Sequence, residues 1–233
     1  MNTRALLFGA TGLVGSALLD EALALPRPLA ITALGRRALP RQHPQLTSLV
    51  GDLSADAALP APVPADIAFC CLGTTIGQAG SRAAFRAVDH DLVLRCAGWA
   101  RRCGVRHLLV VTAVGAAAGS PVFYNRVKGE TERDLRALGF ERLSIFRPSL
   151  LLGERAEHRR GEAIGARAMP LLSPLLAGPL SMYKAIPARD VALAMLGQAL
   201  APSGAAVSCL HWREMREARR RLQPFLNPAE NTP

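Results

Sequence analysis

The chain has 233 residues, half of them hydrophobic, and a formal net charge of +10 at pH 7. This length and composition supply one sizeable core and exclude wholesale disorder. The odd number of cysteines and the absence of a C-x-x-C pair argue against a disulfide framework and a zinc knuckle. The five histidines show no metal-ligand spacing. We therefore expect no metal site and a reducing, cytoplasmic location.

The positive charge comes almost wholly from arginine, because Lys128 and Lys184 are the only lysines. Such a charge favours anionic partners such as nucleotides or nucleic acid, and a GC-rich coding bias is the alternative explanation. Residues 1–24 resemble a weak signal peptide, but regularly spaced glycines and the pair Asp20-Glu21 argue against one. The apolar stretch 169–180 is broken by three prolines, so we expect no membrane span.

Apolar runs alternate with helical patterns in the order that βαβ units require. The predicted strands are residues 5–8, 29–34, 46–50, 67–72, 105–112 and 143–146. The predicted helices are residues 13–25, 83–103 and 122–138, with an irregular link at 57–64 rich in alanine and proline. This order predicts an α/β fold of the Rossmann type, with a doubly wound, mostly parallel sheet.

After residue 150 the pattern loosens. The remaining segments are a polar stretch at 154–168, an apolar proline-rich stretch at 169–180, a helix at 189–200, a short strand at 207–210, a basic helix at 212–222 and a disordered tail. No internal repeat or separate linker is evident. The simplest interpretation is a single NAD(P)-binding domain over residues 1–233, in which 150–233 include a small C-terminal lobe on the substrate side.

The stretch "GATGLVG" lies directly between the first predicted strand and helix. Glycines at this spacing allow a tight turn, close approach of a pyrophosphate and close packing of helix on strand, while the helix N-terminus faces the phosphates. An ordinary glycine turn is the alternative. The βαβ context favours a dinucleotide site, which we assign to Gly9, Thr11, Gly12, Leu13, Val14 and Gly15.

The second predicted strand is followed by Gly35-Arg36-Arg37. A site for NAD usually has an acidic residue at this position, which binds the ribose hydroxyls. A guanidinium pair instead suits the 2′-phosphate of NADP, although a general arginine bias would also explain it. We favour NADP(H) over NAD(H) and assign Arg36 and Arg37 to the cofactor site.

Two further stretches follow strands at the carboxyl edge of the sheet, where ligands bind in such folds. After the third strand, the Asp52 carboxylate could accept a hydrogen bond from the adenine amino group, and a simple turn explains it nearly as well. After the fourth strand, Gly73 would let the backbone approach the cofactor. The predicted cofactor site therefore also includes Asp52, Leu53, Leu72, Gly73 and Thr74.

The pentapeptide "YNRVK" places Tyr124 and Lys128 four residues apart, on one face of a helix. A tyrosine is ordinarily a poor acid or base, and a nearby ammonium stabilises the phenolate, which makes proton exchange with a carbonyl oxygen feasible. Lys128 could also bind the nicotinamide ribose, and the Thr112 hydroxyl could hold the substrate oxygen. We predict a catalytic set of Tyr124, Lys128 and Thr112, against the alternative of a solvated helix face.

Together these motifs resemble the short-chain dehydrogenase/reductase superfamily of the atypical kind, and most closely its Tat-interacting-protein-like branch, which groups with epimerase-like NAD(P)-binding proteins. The stretches that carry the resemblance are "LLFGATGLVG", "LGRR", "CLGTTIGQAGSRAAFRAVDHDLV", "YNRVKGETE", "IFRPSLLLGER" and "AIPARDVA", from residue 4 to 192. The resemblance implies a Rossmann fold, NADP(H) across Gly9, Gly12, Gly15 and Arg36, and Tyr124 with Lys128 as the catalytic pair.

The chain departs from this family in two places. The family tends to have a Ser-Ser pair after the fifth strand, where this chain has Thr112-Ala113, and Asp89 stands where related extended enzymes often place an asparagine in a proton relay. Both departures leave cofactor binding intact and bear on turnover. Some relatives resemble regulators that bind NADPH rather than efficient enzymes.

The sequence therefore predicts an NADP(H)-dependent oxidoreductase that acts on a small carbonyl or alcohol. One alternative is an NADPH-binding regulatory or interaction protein with little turnover, and another is an enzyme similar to sugar-nucleotide epimerases. A nucleic-acid binder that uses the basic helix at 212–222 is less favoured, because that helix lacks interleaved aromatic residues beyond Trp212. Pairing through the helices at 83–103 and 122–138 is common in such folds, so a homodimer is a further expectation.

Overall fold

A computed structural model of the chain describes residues 3–27, 29–51, 53, 59–153 and 182–227. Within them the strands are β1 (Arg4–Phe8), β2 (Ala30–Gly35), β3 (Leu46–Val50), β4 (Ile67–Cys70), β5 (His107–Val111), β6 (Arg142–Phe146), β7 (Leu151–Leu152), β8 (Ile186–Pro187) and β9 (Val207–Leu210). The helices are α1 (Leu13–Leu23), α2 (Ile76–Ala79), α3 (Arg82–Arg86), α4 (Val93–Arg102), α5 (Phe123–Ala137), α6 (Ala188–Leu200), α7 (Trp212–Arg220) and α8 (Gln223–Leu226), with a π-helical segment (Ala87–Leu92) between α3 and α4.

Seven strands form one parallel sheet in the order β3-β2-β1-β4-β5-β6-β9. The strand order reverses between β1 and β4, and in such sheets the crevice at the carboxyl end of this switch point binds ligands. The predicted Rossmann-type, doubly wound fold is therefore confirmed.

Both faces of the sheet are covered, which explains why the central strands are continuous apolar runs. Alternate residues of β1 enter different cores: Leu7 joins the core beneath α1, α6 and α7, whereas Leu6 and Phe8 join the core beneath α4 and α5. The sheet therefore lies between two helical layers, and the loops at its carboxyl edge are left to form a site.

The C-terminal segment returns to the same sheet, because β9 pairs with β6 and α6 is packed between α1 and α7. A side chain at Gly197 would place its Cβ 1.9 Å from the Ala218 carbonyl oxygen, so this close approach of α6 and α7 requires glycine. Residues 154–181, part of the stretch 150–233 in which the sequence placed the substrate-side lobe, lie outside the described residues. In the part of the chain described, no helix is both long and apolar enough to cross a membrane.

The long helix predicted at 83–103 is interrupted by the six-residue π-helical segment. The Thr131 hydroxyl, on α5, lies 2.9 Å from the Asp89 carbonyl oxygen and donates to it, a bond from outside the helix. The prediction of one uniform helix was therefore wrong at its middle, and π-helical turns of this kind often occur at functional sites. The sequence also gave no sign of the two-residue strands β7 and β8 or of the short helices α2 and α8.

A buried histidine at the start of β5 makes the stability depend on pH. Burial lowers the pKa of His107 from 6.5 to about 4, and the charge of Arg142 acts in the same direction. Between pH 6.5 and about 4, His107 is therefore protonated in the unfolded chain and neutral in the folded chain. The stability that the neutral His107 contributes is complete above pH 6.5 and is lost as the pH falls towards 4.

We expect the free energy of unfolding to drop by up to about 3 kcal/mol across this window because of His107 alone. His107→Gln keeps a polar atom for Ser144, whose hydroxyl lies 2.9 Å from His107 Nε2, and removes the titration. Urea unfolding at a series of pH values gives the free energy of unfolding as a function of pH. The slope of this free energy against pH should be shallower for the variant. Identical slopes in the two proteins would contradict the assignment.

Candidate functional site

A cavity of about 730 Å³ opens at the carboxyl ends of β1, β2 and β4, at the switch point of the sheet. Most of the predicted cofactor residues line it: Gly9, Thr11, Gly12, Arg36, Arg37, Leu53, Leu72, Gly73 and Thr74. Three other predicted residues, Leu13, Val14 and Gly15, belong to the first turn of α1 and are not part of its lining. Asp52 lies outside the described residues.

The glycine loop brings the backbone of β1, α1 and β4 together. Gly9 has φ +82°, and a Cβ there would stand 2.7 Å from the Cys71 carbonyl oxygen. A Cβ at Gly15 would stand 2.1 Å from the Gly9 carbonyl oxygen, so Gly15 sets how closely α1 approaches the loop. Gly12 caps α1 without a side-chain hydrogen bond, which leaves the first N–H groups of the helix to a ligand.

Arg36 and Arg37 lie on the cavity wall at the end of β2, and both are exposed. Neither makes an ion pair or hydrogen bond with any residue that the structure describes. Two unpaired guanidinium groups at this position give the cavity a positive rim. They are available to bind an anionic group of a ligand.

The opposite wall comes from the π-helical segment and α4, which the sequence analysis did not assign to the site. The residues it contributes are Ala87, Val88, Asp91, Leu92 and Arg95. The Arg95 guanidinium donates to the Leu53 carbonyl oxygen at 2.8 Å and so fastens the loop after β3 to this wall. In a chain with so many arginines, no local pattern distinguishes Arg95 from the rest.

Tyr124 and Lys128 lie on α5, one turn apart, as the pentapeptide predicted. The Lys128 side chain is buried, and its Nζ lies 2.6 Å from Asp89 Oδ1. This ion pair borders the cavity at Gly73, where a Cβ would stand 3.4 Å from Asp89 Oδ1 and 3.6 Å from Lys128 Nζ. The predicted catalytic helix and the cavity therefore meet at the end of β4.

The charge of Lys128 depends on its neighbours. Burial disfavours the ammonium, but the attraction of Asp89 and then of Tyr124 outweighs burial, so the pKa of Lys128 is raised above its usual value. Lys128 is therefore a permanent cation at neutral pH.

The Tyr124 ring packs against the ring of Phe85. Its ring centroid lies 5.3 Å from that of Phe85, and Phe123 packs 5.9 Å from the same phenylalanine. The Arg82 guanidinium lies 5.2 Å from the Phe123 ring centroid. Packing against Phe85 limits the positions that the phenol ring can take.

The third predicted catalytic residue is held in a different network. The Thr112 hydroxyl donates to Glu132 Oε1 at 2.7 Å, and Glu132 also accepts from Arg147 Nε at 2.9 Å. This hydrogen bond is buried, because Glu132 is 1% exposed and Thr112 is 6% exposed. To hold a substrate oxygen as predicted, Thr112 would have to give up this hydrogen bond.

The loop after β5 is fixed against α5 by close backbone packing. A Cβ at Gly129 would stand 2.1 Å from the Ala117 carbonyl carbon, and the Ala117 N–H donates to the Asn125 carbonyl oxygen at 3.1 Å. This contact brings the loop that begins at Thr112 alongside the turn of α5 that carries Tyr124. The short side chains of residues 116–118 are therefore part of how the site is built.

These features fit a nicotinamide dinucleotide. There is no space for a side chain at Gly9 or Gly15, the N-terminus of α1 faces the cavity, and Arg36 with Arg37 supplies positive charge. Among the described residues, no three His, Cys, Asp or Glu side chains are grouped so as to hold a metal ion.

Comparison with known proteins agrees with this geometry. The model of a family described as NAD(P)H-binding matches residues 9–165. The protein HTATIP2 of Rattus norvegicus is 34% identical over 213 residues, which cover 90% of this chain and 86% of the relative. The mitochondrial protein FMP52 of Eremothecium gossypii is 40% identical over 157 residues, 67% of this chain and 70% of the relative.

The names of these relatives correct one expectation. FMP52 proteins of Eremothecium gossypii, Emericella nidulans and Candida albicans are all named as mitochondrial. The cytoplasmic location predicted from the cysteine content was therefore wrong. Free thiols indicate a reducing environment, which is not a property of one compartment only.

Solved structures share the fold at low sequence identity. A UDP-galactose 4-epimerase superposes with a TM-score of 0.64 and 17% identity, over 89% of this chain and 76% of that one. The human epimerase family protein SDR39U1, solved with NADPH, has a TM-score of 0.56 and 19% identity, over 90% and 74%. The chain belongs to the NAD(P)H-binding family and, within it, to the Tat-interacting-protein-like branch of the atypical short-chain dehydrogenases/reductases.

Proposed function

We propose that the chain is an NADP(H)-dependent oxidoreductase that acts on a small carbonyl or alcohol. The observation that carries the proposal is the junction at Gly73, where the Lys128–Asp89 ion pair adjoins the wall of the dinucleotide cavity. At this junction Lys128, one of the two proposed catalytic residues, lies next to the proposed cofactor site. The family membership supports the cofactor, and the paired residues support the chemistry.

The preference for the phosphorylated cofactor rests on Arg36 and Arg37. A 2′-phosphate carries close to two negative charges and accepts hydrogen bonds from guanidinium groups with good geometry. The unpaired arginines at the end of β2 offer that match, and an acidic residue that would favour NAD is not found at this point of the cavity wall, among the residues described.

A bound reduced nicotinamide would supply a hydride. The chain's own residues supply the proton and the orientation: Tyr124 gives its phenol proton to the substrate oxygen, and Lys128 stabilises the phenolate that remains.

A second candidate is an NADPH-binding regulator with little turnover. The observation in its favour is that the Thr112 hydroxyl donates to Glu132, while the next residue, Ala113, has no hydroxyl. A regulator needs the cavity and not the proton donor. An epimerase acting on sugar nucleotides is favoured by the shared fold alone. The homodimer stays a prediction.

A direct test mixes the purified chain and NADPH with a panel of small aldehydes, ketones and quinones, and follows the nicotinamide absorbance. We expect NADPH to be consumed with at least one of them, and product alcohol to appear in equal amount. NADPH binding without consumption across the panel, combined with a cellular effect that survives Tyr124→Phe, would support the regulator and overturn the oxidoreductase.

A further inference from the structure

The acidic residue that faces Lys128 has an unusual environment. Asp89 is fully buried, and it lies within the π-helical segment rather than in regular helix. An unpaired charge in such a position would be strongly destabilising, so its partners define what it does. Each of its two carboxylate oxygens meets a different part of the proposed active site.

Asp89 joins the cofactor cavity to the catalytic helix. Its Oδ2 accepts a hydrogen bond from the backbone N–H of Thr74 at 2.8 Å, and Thr74 lines the cavity. Its Oδ1 lies 2.6 Å from Lys128 Nζ. The Thr131 hydroxyl, one turn beyond Lys128 on α5, donates to the Asp89 backbone carbonyl. Asp89 is thus fixed from both sides.

The ion pair changes what Lys128 can do for Tyr124. A lone buried ammonium strongly stabilises a neighbouring phenolate, whereas an ammonium paired at 2.6 Å with a carboxylate stabilises it less, because the negative charge offsets part of the positive one. The other titratable group that faces Lys128 from the sheet is Cys70, and burial raises the pKa of this thiol to about 11, so it stays neutral at pH 7.

Other polar groups described at the interface between α5 and the helix before it contact one another rather than Lys128. These pairs are Arg86 with Glu130, and His90 with Asp91 and Asp134. The neighbouring Cys96 of α4 is buried, which raises its pKa. Among the residues that the structure describes, Asp89 therefore provides the carboxylate in direct contact with Lys128.

We propose that Asp89 is a positioning residue that offsets the charge of Lys128, so that Tyr124 is held as a phenol and the site is poised to protonate a carbonyl oxygen rather than to deprotonate an alcohol. The inference rests on the proposed function for its chemistry. In that step a bound reduced nicotinamide would supply the hydride for the carbonyl carbon, and the carbonyl oxygen takes the Tyr124 proton. The phenolate is then reprotonated from water.

Asp89 would therefore change the pH range in which carbonyl reduction and alcohol oxidation each proceed. It would not change the equilibrium constant of the reaction, which depends on the reactants alone. A site that keeps its phenol proton reduces carbonyls over a wide neutral range. The same site needs more alkaline conditions before it takes a proton from an alcohol. Removal of the Asp89 charge should widen the range in which alcohol is oxidised.

The test uses the fact that Tyr124 and Tyr183 are the only tyrosines. Tyr183 is 45% exposed, so Tyr183→Phe removes a solvent-exposed phenol and gives a parent protein with Tyr124 as its one phenol. Phenolate formation is then followed by ultraviolet difference absorbance as the pH is raised, without cofactor or substrate. This readout does not require turnover.

In the Tyr183→Phe parent, Asp89→Asn keeps an acceptor for the Thr74 N–H and removes the negative charge. We expect phenolate to form at a pH lower by roughly one unit or more. Asp66→Asn, a control that removes the same charge from the partner of Arg4 just before β4, should leave the phenolate titration unchanged. An unchanged titration in a folded Asp89→Asn protein would overturn the proposal.

A double variant tests the same electrostatic account with both charges removed. Asp89→Asn with Lys128→Met removes both charges, so the electrostatic account expects phenolate to form within about half a pH unit of the parent. Phenolate that forms only at a pH more than one unit higher would mean that Lys128 acts with its full charge, and would overturn the proposal. Failure of the proposed function is seen separately, as a normal phenolate titration with no NADPH consumption.

Discussion

Tyr124→Phe is expected to lower kcat for carbonyl reduction by roughly 100- to 10,000-fold, the usual contribution of a positioned general acid. The substitution removes only the hydroxyl group. The ring contact with Phe85, with centroids 5.3 Å apart, is an apolar contact that phenylalanine preserves. Stopped-flow or steady-state measurement of NADPH consumption with the best carbonyl of the panel gives the comparison.

The control for this prediction is cofactor affinity. Tyr124 does not line the cavity, so the Kd for NADPH should stay within about twofold of the unmodified protein. A variant that keeps most of its kcat would remove Tyr124 from the mechanism. A variant that loses NADPH binding and turnover together would show that the tyrosine acts on the structure of the site rather than on the proton.

Replacement of Arg36 and Arg37 by alanine should weaken NADPH binding by about 100-fold or more, because each guanidinium–phosphate contact is worth about 1.5–3 kcal/mol. NADH lacks the 2′-phosphate, so its affinity should change little. The variant should therefore lose most of its preference between the two cofactors, as measured by nicotinamide fluorescence.

A matched control is Arg213→Ala with Arg220→Ala, which removes the same charge from exposed positions on α7. This control should leave both affinities nearly unchanged, since surface charges act weakly over long distances at ordinary salt. An equal loss of NADPH and NADH affinity in the Arg36 and Arg37 variant would mean that these arginines act on the general field or on folding, and not on the 2′-phosphate.

The strands were predictable because parallel strands buried on both faces are short apolar runs bounded by turn residues. The third strand was predicted at its observed bounds, Leu46–Val50, and the helix that carries the catalytic pair within one residue at each end, Phe123–Ala137. Local pattern is sufficient where one helix face or one apolar run decides the structure.

The π-helical segment was not predicted, and one of its carbonyl oxygens accepts from a hydroxyl far away in the sequence. Thr131 donates to the Asp89 carbonyl, and no property of residues 87–92 alone announces that bond. The partner of Lys128 was missed for the same reason. Asp89 attracted attention only as a departure from an asparagine, and its contact with Lys128 exists only once two helices have packed.

The position of Thr112 in the sequence predicted its place in the fold but not the direction of its side chain. It follows β5, where a substrate-binding hydroxyl is expected in this family, but Glu132 on α5 approaches the same place and takes the hydroxyl hydrogen. Glu132 in turn is held by Arg147, so a buried charged network and not the cavity decides the direction of the Thr112 side chain. Such competition appears only in three dimensions.

The central claim is that the cavity at the switch point binds a phosphorylated nicotinamide cofactor. The most direct measurement is a titration of the unmodified protein with NADPH and with NADH, followed by nicotinamide fluorescence. We predict saturable binding of both, with NADPH tighter by roughly 100-fold or more. Equal affinities, or tighter binding of NADH, would contradict the function assigned to Arg36 and Arg37, and absence of binding by either cofactor would overturn the proposed oxidoreductase.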